Sequence, residues 1–243
     1  MSAPPCRILD WDSEFFGLRI GTAEGERLTA NGRRDLQRWC HEADIDCLYF
    51  LADPDDLPTT HLAGEAGFRL VDVRMTLTRD GQTGRRADDQ STPVIRAACE
   101  SDLDRLAAFA RVSHRDTRFF FDPGFPDAAC ERLYETWIRK SCAGYAQAVL
   151  VAGAPGEACG YAACHLDGSG ARIGLVGVAE AARGAGSGQA LVQAALGWFA
   201  ENGAPRVSVV TQGRNAAAQR LYARCGFAVE SMRLWYHYWP RAK

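Results

Sequence analysis

Lysine is nearly missing from this 243-residue chain: Lys140 and Lys243 are the only two, so arginine supplies almost all of its 28 basic side chains. That skew points to a GC-rich genome rather than to a function. Basic blocks are missing as well, and 28 basic against 30 acidic residues leave a formal charge of -2. The balance excludes the electrostatic footprint of a nucleic-acid binder and a polybasic membrane anchor. No stretch approaches the roughly 18 uncharged apolar residues of a spanning helix. The opening MSAPPCRILD has no charged segment followed by an apolar one, so neither a leader nor membrane insertion is expected and the chain reads as cytoplasmic. Nine cysteines are scattered without a C-x-x-C pair, and five histidines are equally dispersed. The ligand spacings of a zinc site are absent, so reduced core thiols and no metal are expected.

What remains, 47% apolar and 24% charged, is the composition of a globular protein, long for one domain and short for two. The sharpest break is TRDGQTGRRADDQSTP (78–93), polar and closed by Pro93. It divides the chain into an N-terminal domain at 1–78, a linker at 79–93 and a larger domain at 94–243. In the first part, helices are expected around 33–43 and 59–65, and Trp11, Phe15 and Phe16 read as N-terminal strand packing. The second opens with a strand, an N-cap expected at Ser101, and a helix whose Leu103, Leu106, Ala107 and Ala110 share a face. Residues 118–128, RFFFDPGFPDA, read as an aromatic loop. Strands and helices then alternate, which makes the class α/β. Superposing HLAGEAGFRLVDVRM (61–75) on RLYARCGFAVESMRL (220–234) aligns Leu62 with Leu221, Gly67 with Gly226, Phe68 with Phe227 and Arg74 with Arg233. A duplicated helix-Gly-strand unit and mere shared composition both explain the match.

The strongest local signal is AARGAGSGQALV (181–192), between an expected strand and an expected helix. Its glycines let backbone N–H groups approach a ligand at the positive end of the helix, which suits a diphosphate; a tight turn is the plainer alternative. The Gly-Lys-Ser/Thr of a P-loop is absent, and the loop comes too late for a dinucleotide fingerprint. Tyr222 shares one helical face with Ala218, Leu221 and Cys225, where a tyrosine serves equally as core.

Taken in order, VIRAACESDLDRLAAFA, IGLVGVAEAARGAGSGQAL and VTQGRNAAAQRLYARCGF resemble the GCN5-related N-acetyltransferase (GNAT) superfamily over residues 93–238. The resemblance implies a mixed, mostly antiparallel sheet splayed at an acyl-CoA site, with acetyl-CoA as acyl donor. It implies that the amides of Arg183, Gly184, Ala185, Gly186, Ser187 and Gly188 hold the diphosphate. Leu175, Val176 and Val178 would flank the pantetheine arm, with Asn215 and Ala218 near it. Tyr222 becomes the acid that protonates the departing thiolate.

LDWDSEFFGLRIG, GFRLVDVRMTL and DTRFFFDPGFPDA extend the similarity over nearly the whole chain. They resemble members of the superfamily that acetylate nucleotide-linked amino sugars such as dTDP-4-amino-4,6-dideoxygalactose and carry an incomplete GNAT-like N-terminal domain. That resemblance puts Asp72 at the position of a base acting through water, whereas the residues alone also allow a surface ion pair with Arg74 or Arg69. For the acceptor, Arg118, Phe119, Phe120 and Trp137 offer a cation and stacking faces, or else helix-terminal core. An acidic acceptor pocket would favour a polyamine or an aminoglycoside, and an arginine-bearing one a diphosphate sugar. A non-catalytic acyl-CoA-binding regulator and a homodimer also stay open.

Overall fold

A computed structural model describes residues 6–80, 93–168 and 170–241. The first part folds as β1 (Cys6–Ile8), α1 (Asp10–Phe16), β2 (Ile20–Ala23), α2 (Ala30–Glu42), β3 (Cys47–Ala52), α3 (Leu57–Glu65) and β4 (Arg69–Asp80). The second adds β5 (Ile95–Ala97), α4 (Leu103–Ser113), α5 (Arg118–Phe121), α6 (Asp127–Lys140), β6 (Ala148–Ala152), β7 (Gly160–Asp167), β8 (Gly170–Val178), α7 (Ser187–Glu201), β9 (Arg206–Gln212), α8 (Ala216–Arg224) and β10 (Ala228–Tyr238). These strands form one mixed sheet in the order β1-β2-β3-β10-β4-β9-β8-β7-β6-β5, with parallel pairing at β2–β3 and β8–β9 and antiparallel pairing elsewhere. The expected α/β class and mostly antiparallel sheet are what is found.

The middle of this sheet is symmetric. In the β4–β10 ladder Arg74 faces Arg233, the residue it matches in sequence. One strand outward on each side, Leu234 pairs with Ala52 and, correspondingly, Met75 with Thr211. The parallel pairs lie one strand further out. Asp56 caps α3 by accepting from the Thr59 amide, and Asn215 caps α8 by accepting from the Ala218 amide. The Phe68 amide donates to the Ala63 carbonyl at 2.9 Å, and the Phe227 amide to the Tyr222 carbonyl at 3.0 Å. The two helix-Gly-strand units thus meet in corresponding register on either side of the β4–β10 pairing.

Helices α7 and α8 cover one face of the second half around Ile173, Leu191, Phe199 and Val209, and α4 and α6 cover the other around Leu106, Leu133 and Tyr161. Several expectations change here. Trp11, Phe15 and Phe16 sit on a helix rather than a strand, and the i, i+4 spacing stacks Trp11 on Phe15 with centroids 5.1 Å apart. Ser101 is not the N-cap; Cys99 caps a 3₁₀ turn at Glu100–Asp102 because the Asp102 carboxylate accepts from the Cys99 amide while gripping Arg96 through both oxygens. The aromatic loop contains α5, and α6 begins at Asp127, directly after the extended Pro126. The expected linker begins late, since Thr78, Arg79 and Asp80 still pair with β9; its remainder, 81–92, lies outside the described residues. Among the described residues no helix is long and apolar enough to cross a membrane.

Candidate active site

A β-bulge opens the sheet beside α7. In the β7–β8 ladder Ala163 pairs with Leu175 and Cys164 with Ile173, so Gly174 is skipped. A side chain is excluded there, because a Cβ at 174 would stand 2.5 Å from Nε2 of the buried His165 ring. The bulge coincides with the last β8–β9 pair, Ile173 with Val209. Beyond it β8 continues to Val178 and β9 to Gln212 unpaired with each other, which leaves two strand edges to which an extended ligand can bond as an added strand would. Val176 and Val178 pack in one cluster with Ala218, Leu221 and Tyr222, while Leu175 belongs to the opposite face with Tyr161.

At the end of β8 the chain turns through Glu180–Ala182 into the exposed segment 183–186. Gly184 and Gly186 have φ of 81° and 82°, a left-handed backbone that costs glycine nothing, and a Cβ at either would meet nothing within 4 Å. Gly186 is the N-cap of α7 and supplies no side chain to it, so the first-turn amides have no intrahelical acceptor. Together with the positive helix end they make a seat for an anion. Asn215 commits its Oδ1 to capping α8, 2.9 Å from the Ala218 amide. The open glycine loop and the splayed edges fit the diphosphate and arm of coenzyme A.

Tyr222 is a core residue by burial, edge-on to Phe227 with centroids 5.8 Å apart. Its hydroxyl bonds to no described residue. Burial, with a smaller contribution from Cys225, raises the phenol above its ordinary range, so it carries its proton at neutral pH. Packing and chemistry are compatible at this position because the ring does one and the hydroxyl is left for the other.

A cavity of about 150 Å³ lies where β9 has left β8. Its strand side carries Asp72 and Arg74 of β4, Val210, Thr211 and Gln212 of β9, and Trp235 of β10. The helix side carries Thr117, Arg118, Phe119, Tyr134 and Trp137. The structure thus brings together four of the expected residues, Asp72, Arg118, Phe119 and Trp137. Phe120 is one step removed, stacked on Tyr134 with centroids 6.2 Å apart under the Arg115 guanidinium. Tyr222 and the glycine loop are not among the lining residues.

Asp72 is 4% exposed and makes no ion pair with Arg74 or Arg69 among the described residues, which overturns the surface-pair expectation. The reason is its place on a central strand under α5. Burial raises its carboxyl to about 6, against the pull of Arg214, of a hydrogen bond from the Val73 amide and of Arg118. Arg118 stacks over Tyr49, Phe119 and Trp235, 4.0, 4.1 and 4.4 Å from their ring centroids. Sequence reasoning missed His237, Asp122 and Tyr49, which surround this arginine. The signal was in LWYHYW, where the strand period of two puts Trp235 and His237 on one face.

Residues 107–227 match the model of the Acetyltransferase (GNAT) family. The chain is 28% identical over 234 residues to a dTDP-fucosamine acetyltransferase of Escherichia coli O6:H1, covering 93% of this chain and 95% of that one. It is 31% identical over 147 residues to the spore coat polysaccharide biosynthesis protein SpsD of Bacillus subtilis, covering 57% of this chain and 48% of that protein. Its fold is similar to that of a GCN5-related N-acetyltransferase from Sphaerobacter thermophilus, with a TM-score of 0.63 at 16% identity over 98% of this chain and 76% of that one. The splayed sheet, the glycine loop at a helix start and these similarities agree: the chain carries an acetyltransferase domain of the GNAT family, whose members use acetyl-CoA as acyl donor.

Proposed function

We propose that this enzyme transfers an acetyl group from acetyl-CoA to the primary amine of a nucleotide-linked amino sugar such as dTDP-4-amino-4,6-dideoxygalactose. The observation that carries the reading is the charge of the cavity, Arg74 and Arg118 against the carboxylate of Asp72. Two guanidiniums attract a diphosphate and oppose a polyamine or an aminoglycoside, whose ammonium groups would be set against them. Phe119, Trp137 and Trp235 add faces for a base or a sugar ring. The activity named for the Escherichia coli relative supports the same acceptor.

Bound acetyl-CoA supplies the acetyl thioester. On this reading the amides of Arg183 to Gly188 hold its diphosphate, and the edges of β8 beyond Ile173 and of β9 beyond Val209 hold its arm beside Asn215 and Ala218. Asp72, with a carboxyl near 6, is mostly ionised at neutral pH yet basic enough to take the acceptor's proton through a water. The Tyr222 hydroxyl, kept protonated by burial, gives its proton to the leaving sulfur. The first 80 residues we read as an incomplete copy of the acetyltransferase unit that donates β4, and with it Asp72, to the site.

The test is thiol release by the full-length enzyme with acetyl-CoA and a panel of amines. The dTDP-4-amino sugar should exceed spermidine and kanamycin in kcat/KM by about two orders of magnitude or more. The reverse ranking would end this reading.

A further inference from the structure

Arg118 is held from behind by a buried chain of hydrogen bonds. Its Nη1 lies 2.6 Å from Nε2 of His237, and Nδ1 of the same ring lies 2.5 Å from Oδ2 of Asp122. A guanidinium has only donors to offer, so Nε2 is the acceptor and the single ring proton sits on Nδ1, donated to Asp122. Asp122 in turn accepts from Nε1 of Trp239 at 2.9 Å on the same oxygen, and from the Gly124 amide at 3.0 Å on the other. His237 stacks on Tyr49, centroids 4.8 Å apart, and meets Phe125 edge-on at 5.6 Å.

Burial, with the Arg118 charge, lowers His237 to about 4 despite the pull of Asp122, so the ring is neutral. Burial alone would raise Asp122, but the hydrogen bonds from His237, Gly124 and Trp239 outweigh it and hold the carboxyl below its ordinary range. Hydrophobic side chains at both 237 and 122 would fill this space between Tyr49 and Phe125 without the cost of burying a carboxylate. The polar chain therefore does something packing does not require, and at its end is a cation on the wall of the acceptor cavity.

We infer that Asp122 and His237 are positioning residues: they hold the Arg118 guanidinium at the cavity wall so that it meets the phosphate groups of the acceptor without rearranging. The inference rests on the acceptor reading above. A guanidinium fixed before binding loses little freedom when a phosphate arrives, whereas one released from His237 must be ordered at that moment.

His237→Phe removes the acceptor atom and keeps a ring in its slot, while His237→Gln keeps an oxygen able to accept from Arg118. Both are compared with the full-length enzyme on acetyl-CoA with dTDP-4-amino-4,6-dideoxygalactose, and with the same sugar lacking dTDP. In His237→Phe the KM for the dTDP sugar should rise about tenfold, the loss of one charge-assisted hydrogen bond. Turnover, acetyl-CoA affinity and the KM for the free sugar should stay within about twofold, the signature of lost uniform binding. His237→Gln should recover most of the loss. Nitrogen-15 NMR of the wild-type ring at neutral pH should find Nδ1 protonated and Nε2 bare.

A bare Nδ1, or an unchanged KM for the dTDP sugar in His237→Phe, overturns the inference and leaves the acceptor reading standing. A wild-type enzyme that acetylates the free sugar but not the dTDP sugar overturns both. If His237→Phe does not fold, Asp122→Asn carries the same KM comparison, because an amide there cannot accept from all three donors.

Discussion

Arg74 and Arg233 stand directly opposite one another across the β4–β10 ladder. Like charges so placed repel. Burial, and then the Arg233 charge, lowers the Arg74 guanidinium, while Arg233 is turned to Glu26 at 2.6 Å. This seam runs through the centre of the sheet and joins β4 of the first part of the chain to β10 of the second. β10 fills the place between β3 and β4, and β4 the place between β10 and β9.

Cutting the chain at the seam should therefore leave neither part stable. Residues 93–243 alone would lose β4 and expose the edges of both β9 and β10, and residues 1–80 would lose β10. Each fragment should lack a cooperative thermal transition by circular dichroism, and co-expression should restore one. A cooperative melt of 93–243 alone would show that β4 is dispensable to that half.

Tyr222→Phe should fold normally, since the ring still packs on Phe227. Turnover should drop by about a hundredfold or more, the usual worth of a positioned acid, with acetyl-CoA affinity by calorimetry nearly unchanged. Full turnover under conditions where chemistry limits the rate removes the hydroxyl from the mechanism.

Asp72 should place the acidic limb of the kcat/KM profile near its carboxyl of about 6, with activity falling as pH drops below that value. Its folded value lies above the unfolded one, so the protonated form favours the fold; that contribution is fully present below about 4 and is lost as pH rises through 6. Asp72→Asn should thus raise stability at pH 8 by about 1–2 kcal/mol, with no gain near pH 3, while activity collapses. A limb that persists unshifted in Asp72→Asn would assign it to another group.

Gly186→Ala tests the anion seat. The added methyl meets no protein atom but forces a side chain into left-handed backbone, costing about 1 kcal/mol of stability. Acetyl-CoA affinity should fall by more than that strain explains, and the acceptor KM should stay put. Unchanged acetyl-CoA affinity in a calorimetric titration would move the diphosphate elsewhere.

The local structure of the proposed coenzyme side was legible because its signals are local. Gly184, Gly186, Asn215 and Tyr222 lie on a loop, a cap and a helix face, each encoded by a few neighbouring residues. The bulge at Gly174 was not, since it depends on where the His165 ring comes to rest. Nor was the setting of Asp72: a single β4 sequence reads equally as an edge strand with surface ion pairs or as a central strand under a helix.

The chain's own order of residues was sufficient for the α/β class, the glycine loop ahead of α7 and the matched pair of Gly-Phe units. The insertion of β10 between β3 and β4, the cavity where β9 leaves β8, and the buried line from Asp122 through His237 to Arg118 belong to the tertiary structure. The physical reason is range. Caps, turns and helical faces are set by residues three or four apart, whereas the residues that wall the cavity come from three separated stretches, 72–74, 117–137 and 210–235, and meet only through strand register and burial.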